Sequence, residues 1–298
     1  MKCSICKSNN LKFLFKSKDP DNISTKYYSL YECNGCHTIS IQPTPSNKEL
    51  EKFYPTSYYT HKHYGLLNKY FLKLRANKIP KKNSILDIGC GEGSFLKLMK
   101  DKGYNCYGLE TSAAGLKEAH KKNITIYTDI RRIRRKFDVI TLWQVFEHIN
   151  RPISYLKSIK KLLKKNGFLI ISIPNFDSLQ SKIGKDIWFH LDLPRHVFHY
   201  TPKTIVSLLR KEKLKIVKIE HFLLEYNIFG FVQTILNLFT TKTNLLYKLI
   251  RRSSFKNNNL TVALLIIPII IPIAILLSVL ESILEKGGTI LVYAKKQN

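Results

Sequence analysis

The chain has 298 residues, with 49 Lys and Arg against 21 Asp and Glu, a formal net charge of +28 and 44% hydrophobic residues. That length makes about two domains on a guide of roughly 150 residues each and is enough to bury a sizeable core. The charge suits nucleic acid, an anionic membrane surface or a phosphorylated substrate; it suits a lysine-biased composition equally, because basic residues exceed acidic ones along nearly the whole chain.

Six cysteines form no disulfide framework: four sit in two tight pairs, and Cys90 and Cys106 stand singly. The opening MKCSICKSNN has no apolar h-region, so no secretory signal is expected and the core is placed in the cytoplasm. Cys3-x-x-Cys6 and Cys33-x-x-Cys36, 26 residues apart, have the spacing of two knuckles presenting four thiolates to a structural Zn²⁺. The spacing predicts a zinc ribbon of short strands over residues 1–42. Either the metal holds a segment too small for its own core, or the ribbon is a platform for substrate or partner. His37 is a bystander. Residues 43–82 read as linker and helical lid, rich in aromatics (Tyr54, Tyr58, Tyr59, Tyr64) that could close over a cofactor or pack between domains. His61 and His63 have no accompanying carboxylate and receive no role.

Ser84–Leu96 (SILDIGCGEGSFL) has the pattern of a strand, a tight turn and a helix, and the rest of the chain is organised around it. Gly89, Gly91 and Gly93 supply positive φ and let backbone approach a ligand at a helix start. A second strand ends in Glu110, 21 residues beyond Gly89, where an acid can accept both hydroxyls of a ribose. A third, 124–128, ends in Asp129. A G-x-G-x-x-G dinucleotide loop would place its third glycine at 94, which is Ser94. Four arginines within 131–135 read as a solvated connection or as phosphate contacts.

Phe137–Val145 is a near-continuous apolar run, as a buried parallel strand requires, and Glu147 and His148 emerge at its carboxyl end, where open α/β sheets bind ligands. A helix is expected from Pro152 to Lys165, stopped by Asn166-Gly167, and a strand over 167–174. Residues 186–200, with the Pro194 constraint and the aromatic anchors Trp188, Phe189, Phe198 and Tyr200, read as an ordered loop. A helix from Thr201-Pro202, a strand over 214–222 and a last strand over 289–294 complete the pattern.

In its first motif the chain resembles the class I S-adenosylmethionine-dependent methyltransferases, whose (D/E)xGxGxG is matched by Asp87, Gly89, Gly91 and Gly93. The resemblance implies adenosylmethionine over that loop, with Glu110 on its ribose and Asp129 near its adenine. It also implies an α/β, Rossmann-like seven-stranded sheet with the last strand antiparallel, over 83–222 plus 287–298. The (N/D)PP(Y/F) segment of amine-methylating enzymes that act on bases is absent, and the FEHI tetrad looks like the small-molecule branch. The stretch W-x-x-x-D-x-P-R-H from Trp188 to His196 is similar to one in methyltransferases of sugar and surface polysaccharide pathways. In that reading Arg195 binds an anionic substrate group, with Glu147 beside it. His148 and His196 are the candidate bases, since a histidine pKa near 6.5 suits proton abstraction at neutral pH.

Residues 223–286 exceed what such a fold needs, and Leu260–Leu280 carries no charge over 21 residues. As a helix it would be ~31 Å long, matching a hydrocarbon core of about 30 Å. The strand after it must rejoin the sheet of the strand before it, and Pro268 and Pro272 would kink the span, so a re-entrant or monotopic element is expected. It would pair with the amphipathic stretch 228–239, with Lys242, Lys248, Arg251, Arg252 and Lys256 meeting anionic headgroups at the inner face of a membrane. A buried hairpin or an oligomer interface is the alternative. The expected activity is methyl transfer to a nucleotide- or lipid-linked sugar or other surface-glycan precursor. A quinone or lipid methyltransferase is the runner-up, and a nucleic-acid-binding protein or RNA methyltransferase using the ribbon stands further off.

Overall fold

The computed structural model describes residues 1–54, 65–240, 244–250 and 259–297, without side chains for 259–262. Tyr58, Tyr59, Tyr64, His61, His63, Lys242, Arg251, Arg252 and Lys256 lie outside the described side chains. Three strands, β1 (Leu11–Lys18), β2 (Tyr27–Cys33) and β3 (Ile39–Gln42), form an antiparallel N-terminal sheet. Two helices, α1 (Asn47–Glu51) and α2 (Gly65–Asn77), lead to the larger domain.

That domain alternates strand and helix: β4 (Ser84–Ile88), α3 (Ser94–Asp101), β5 (Asn105–Leu109), α4 (Ala113–His120), β6 (Thr125–Tyr127), β7 (Phe137–Trp143), α5 (Pro152–Leu162) and β8 (Leu163–Pro174). Next come α6 (Leu179–Gly184), β9 (Phe198–His199), α7 (Pro202–Lys211) and β10 (Leu214–Glu220). The chain closes with α8 (Leu224–Phe239), α9 (Leu245–Ile250), α10 (Asn259–Ile283) and β11 (Thr289–Lys296). The seven strands lie in the order β10-β11-β8-β7-β4-β5-β6; β11 is antiparallel to both neighbours and the remaining pairs are parallel.

Alternation within each strand feeds two cores. Leu86, Ile140, Leu142 and Ile171 face α5 and α7 through Leu156, Ile159, Ile205 and Leu209. Ile85, Val139 and Ile170 face the other layer, with Phe95, Leu96 and Met99 of α3. The expected helix to Lys165 is shorter. Leu163 is extended and pairs with Phe137, so strand β8 starts where the helix ends, and the turn at Asn166-Gly167 lies inside it. A Cβ at Gly167 would come within 3.1 Å of the Phe137 carbonyl oxygen.

Among the described residues the insertion packs as three helices, α8, α9 and α10, on the flank. Helix α10 is one continuous helix with Pro268 and Pro272 inside it. It lies against α8 by a narrow stripe, Ala263, Ile270, Ala274 and Ser278, facing Phe231, Val232 and Leu236. At its end Glu281 Oε1 accepts from Gln180 Nε2 at 2.9 Å and from the Gly288 N–H at 2.8 Å, which fixes the return into β11. Lys248 turns inward to Pro20 O and, at 3.6 Å, to Asp21 Oδ1, so it is bound to the N-terminal sheet rather than offered to headgroups.

Candidate active site

Strand order reverses between β4 and β7, since β5 lies on one side of β4 and β7 on the other, and their carboxyl ends open the crevice where such sheets bind ligands. Asp87 stands there, buried, opposite Gly108 and Thr141 in the ladder. Thr141 Oγ1 donates to Asp87 Oδ1 at 2.6 Å. Burial pushes the Asp87 carboxyl up to about 7, against the pull of the Thr141 hydroxyl and of the Arg75 guanidinium.

Gly89, Gly91 and Gly93 have φ of 72°, 54° and 75°. A Cβ at Gly89 would sit 2.5 Å from Val145 Cγ2, whereas one at Gly91 would meet nothing within 4 Å. Bare backbone at Gly91 thus faces open space beside the start of α3, a cradle that fits the extended cofactor the first motif implies. Glu110 is locked against this loop. Its Oε2 accepts from the Gly91 N–H at 2.8 Å, and its Oε1 from the Thr111 and Ser112 N–H groups at 2.8 and 2.7 Å. A carboxylate oxygen takes two bonds, so Oε2 retains one acceptor direction among the described residues. Asp129 is drawn elsewhere: Arg131 grips both its oxygens, and the Arg131 backbone N–H donates to Oδ1 at 2.9 Å. That guanidinium holds the Asp129 carboxyl down at about 2, and any contact with an adenine would compete with it.

On the β7 side, residues 146–148 form one 3-10 turn. The loop expected over 186–200 folds back onto it: the Val197 N–H donates to the Glu147 carbonyl at 3.0 Å, and β9 adds to β3, so loop, turn and N-terminal sheet are tied together. Glu147, His148 and His196 converge, with the two imidazole centroids 4.6 Å apart and His196 Nε2 3.9 Å from Glu147 Oε1. His196 Nδ1 donates to His190 O at 2.8 Å and His148 Nδ1 to Arg195 O at 2.9 Å. A carbonyl only accepts, so His196 carries its proton on Nδ1 and keeps the lone pair of Nε2, while His148 Nδ1 is shared between the Arg195 carbonyl and the Tyr54 hydroxyl at 2.9 Å. Burial lowers both imidazoles below the ordinary histidine value, His196 most strongly, and pushes Glu147 up to about 8. These three side chains also have the donor types to hold a cation.

Arg195 takes a different position from the one expected. It is 2% exposed, forks onto Asp192 through Nε at 2.9 Å and through Nη2, and reaches Asp21 Oδ2 at 2.7 Å through Nη1. It clamps the loop to the N-terminal sheet and has no face turned to a substrate anion. Tyr54, read from sequence only as one aromatic among many, places its hydroxyl 2.9 Å from His148 Nδ1. Nothing in the spacing of residue 54 relative to 148 signals this.

Among the four N-terminal cysteines, Cys3 Sγ lies 3.6 Å from Cys36 Sγ and Cys6 Sγ 3.4 Å from Cys33 Sγ. Thiolates around a tetrahedral Zn²⁺ at 2.3 Å stand about 3.8 Å apart, so the cluster fits such an ion. His37 bonds Glu32 Oε1 at 3.2 Å instead.

This arrangement, with a glycine cradle, an acid after β5 and a seven-stranded sheet closed by an antiparallel β11, defines a class I methyltransferase domain. The chain belongs to the methyltransferase domain family, which matches residues 59–219, more than half its length; it is an S-adenosylmethionine-dependent methyltransferase. Two curated relatives are ubiquinone biosynthesis O-methyltransferases, from Pelagibacter ubique (27% identical over 165 residues) and Histophilus somni (32% over 120). The aligned stretches cover 50% and 35% of this chain, and 68% and 50% of those proteins. Among solved structures, the [4+2]-cyclase SpnF has a TM-score of 0.53 at 15% identity, covering 85% of this chain and 97% of that one. A SAM-dependent methyltransferase from Archaeoglobus fulgidus has 0.48 at 22%, covering 77% and 93%. At 15% identity the likeness to SpnF speaks to the fold alone.

Proposed function

We propose that the enzyme methylates a hydroxyl of a nucleotide- or lipid-linked sugar or another surface-glycan precursor, with Zn²⁺ held by Cys3, Cys6, Cys33 and Cys36 as a structural ion. The observation that carries the reading is the convergence of Glu147, His148 and His196 at the end of β7, where Val145 of the same turn packs on Gly89. Bound adenosylmethionine supplies an electrophilic methyl on a sulfonium. The chain's residues supply alignment and a route for the proton: the glycine cradle and Glu110 seat the cofactor, and the buried cluster activates the acceptor oxygen. Supporting a saccharide, a cavity of 360 Å³ between the N-terminal sheet and the loop is lined by Trp188, Asp186, Asp192, Asn244 and Lys16. An aromatic face with carboxylates and an amide suits a sugar ring and its hydroxyls. Transfer of labelled methyl from adenosylmethionine to a panel of nucleotide sugars and polyprenyl-linked sugars tests it; labelling of a quinol precursor alone would replace the glycan reading. The names of the two O-methyltransferase relatives favour that second reading, methylation of a quinone precursor, and their incomplete coverage leaves both proposals to the assay.

A second proposal concerns where the enzyme works. Helix α10 is apolar far beyond the stripe that α8 covers. At 100° per residue its exposed aliphatics, from Ile271 round to Ile273 and including Leu265, Ile269 and Leu276, span about 200° of its circumference. One partner helix covers an arc of about 100°, whereas lipid covers all of it. Because α10 lies along α8, and α8 along the active-site loop through Thr234 and Asn237, the helix is seated on the flank of the domain. We read it as lying in the plane of a bilayer, at the cytoplasmic face, with the basic chain attracted to anionic lipid.

A further inference from the structure

The site holds one feature that cofactor alignment does not require. Glu147 is 1% exposed, and among the described residues neither carboxylate oxygen has a hydrogen-bond partner. His196 Nε2 stands 3.9 Å from Oε1, beyond a direct hydrogen bond. A buried carboxylate left without donors is disfavoured unless something else meets it. His196 spends Nδ1–H on the His190 carbonyl, which turns Nε2 toward Glu147, and His148 Nδ1 lies against the Arg195 carbonyl and the Tyr54 hydroxyl. A carbonyl holding the outer N–H is how proteins orient an imidazole for a metal. One ligand atom from each of the three residues falls within 4.8 Å of the others. Asp192, though its Oδ2 is 3.8 Å from His196 Nε2, is committed to Arg195. It adds negative potential without being a ligand.

We propose that Glu147, His148 and His196 bind a divalent transition-metal ion, with open positions for the acceptor hydroxyl. Two imidazoles and one carboxylate suit Zn²⁺, Mn²⁺ or Fe²⁺ and differ from the all-oxygen shells of Ca²⁺ and Mg²⁺. The four-cysteine cluster is a separate, closed, soft-ligand site. Resting on the methyl-transfer reading, the ion acts as a Lewis acid on the acceptor. The coordinated hydroxyl loses its proton to solvent water, its oxygen lone pair forms the O–CH₃ bond, and the methyl–sulfur bond breaks to leave the neutral thioether. His148 and His196 then serve as ligands, and the tether from β9 to β3 keeps His196 in place.

The test is metal content. Wild type, Glu147→Gln and His196→Gln are equilibrated with Zn²⁺, dialysed and analysed by elemental mass spectrometry, with adenosylmethionine affinity as the control for folding. The cysteine site is common to all three proteins and cancels. The expected result is one more equivalent of zinc in the wild type than in either variant, with cofactor affinity within about twofold, and a visible Co²⁺ d–d band on zinc exchange at this site that His196→Gln abolishes. Equal metal content in wild type and variants that bind the cofactor would overturn the proposal. That outcome is independent of whether any acceptor is methylated, so it is distinguishable from failure of the glycan reading.

Discussion

Thr141 gives the buried Asp87 its side-chain donor, and losing it leaves that oxygen orphaned in the core. Thr141→Val should cost about 1–3 kcal/mol, read by urea unfolding. His196→Ala should slow turnover by about 10²–10⁴-fold, the range for a positioned activating group, with cofactor affinity intact; unchanged turnover would remove His196 from the chemistry. At this scale the glycine loop and Glu110 were legible, because a strand, a turn and an acid at fixed spacing are local chemistry. Tyr54 and the Asp21–Arg195 pair were not, because they join residues 94 and 174 positions apart. The partners of Arg195 were hidden for the same reason: a motif names an arginine but not the carboxylates that neutralise it.

The loop of residues 186–200 depends on two flanking elements, the N-terminal sheet through Arg195 and β9, and α8 through Thr234 and Asn237. Arg195→Ala strips a buried ion pair and should destabilise by about 3–5 kcal/mol, checked by chemical unfolding. The same loop carries histidines kept neutral by burial, His190 at about 4 and His199 at about 3. In the unfolded chain both titrate near 6.5, so the unfolded state binds more protons below that value. The stability they contribute is complete above about pH 6.5 and is lost as pH falls toward 4 and 3. Asp87 and Glu147, raised in the fold, have the opposite slope, so the measurement is a comparison. Unfolding free energy of wild type minus that of His199→Phe should rise by about 1.4 kcal/mol per pH unit between pH 4 and 6. A flat difference would place His199 in solvent. Helix starts were legible at Thr201-Pro202 from the threonine cap and at Pro152 from the proline at N1; the early end of α5 was not, because tertiary pairing of Leu163 with Phe137 overrides helix propensity.

For the molecule as a whole, the sheet order follows from alternating strands and helices, and an antiparallel last strand lets a long insertion precede it without disturbing the ladder. The pattern of apolar residues alone leaves open the attitude of α10, since a span and a flank helix have the same composition. Packing on α8 adds that α10 lies on the flank of the domain, and lipid binding tests its attitude. The protein should float with vesicles of anionic phospholipid, and Leu265→Glu with Leu276→Glu, both on exposed positions, should reduce that fraction at least about tenfold without loss of fold. A stable dimer by sedimentation that ignores vesicles would assign the face to a second copy instead.

The most direct test of the account is calorimetric titration of adenosylmethionine and its demethylated product into the purified, zinc-loaded protein, with Gly91→Trp and Glu110→Ala beside it. Gly91 faces the open cradle and Glu110 closes it. Binding of both ligands in the wild type, lost in both variants, is the predicted result; well-folded wild type that binds neither would contradict the site as described.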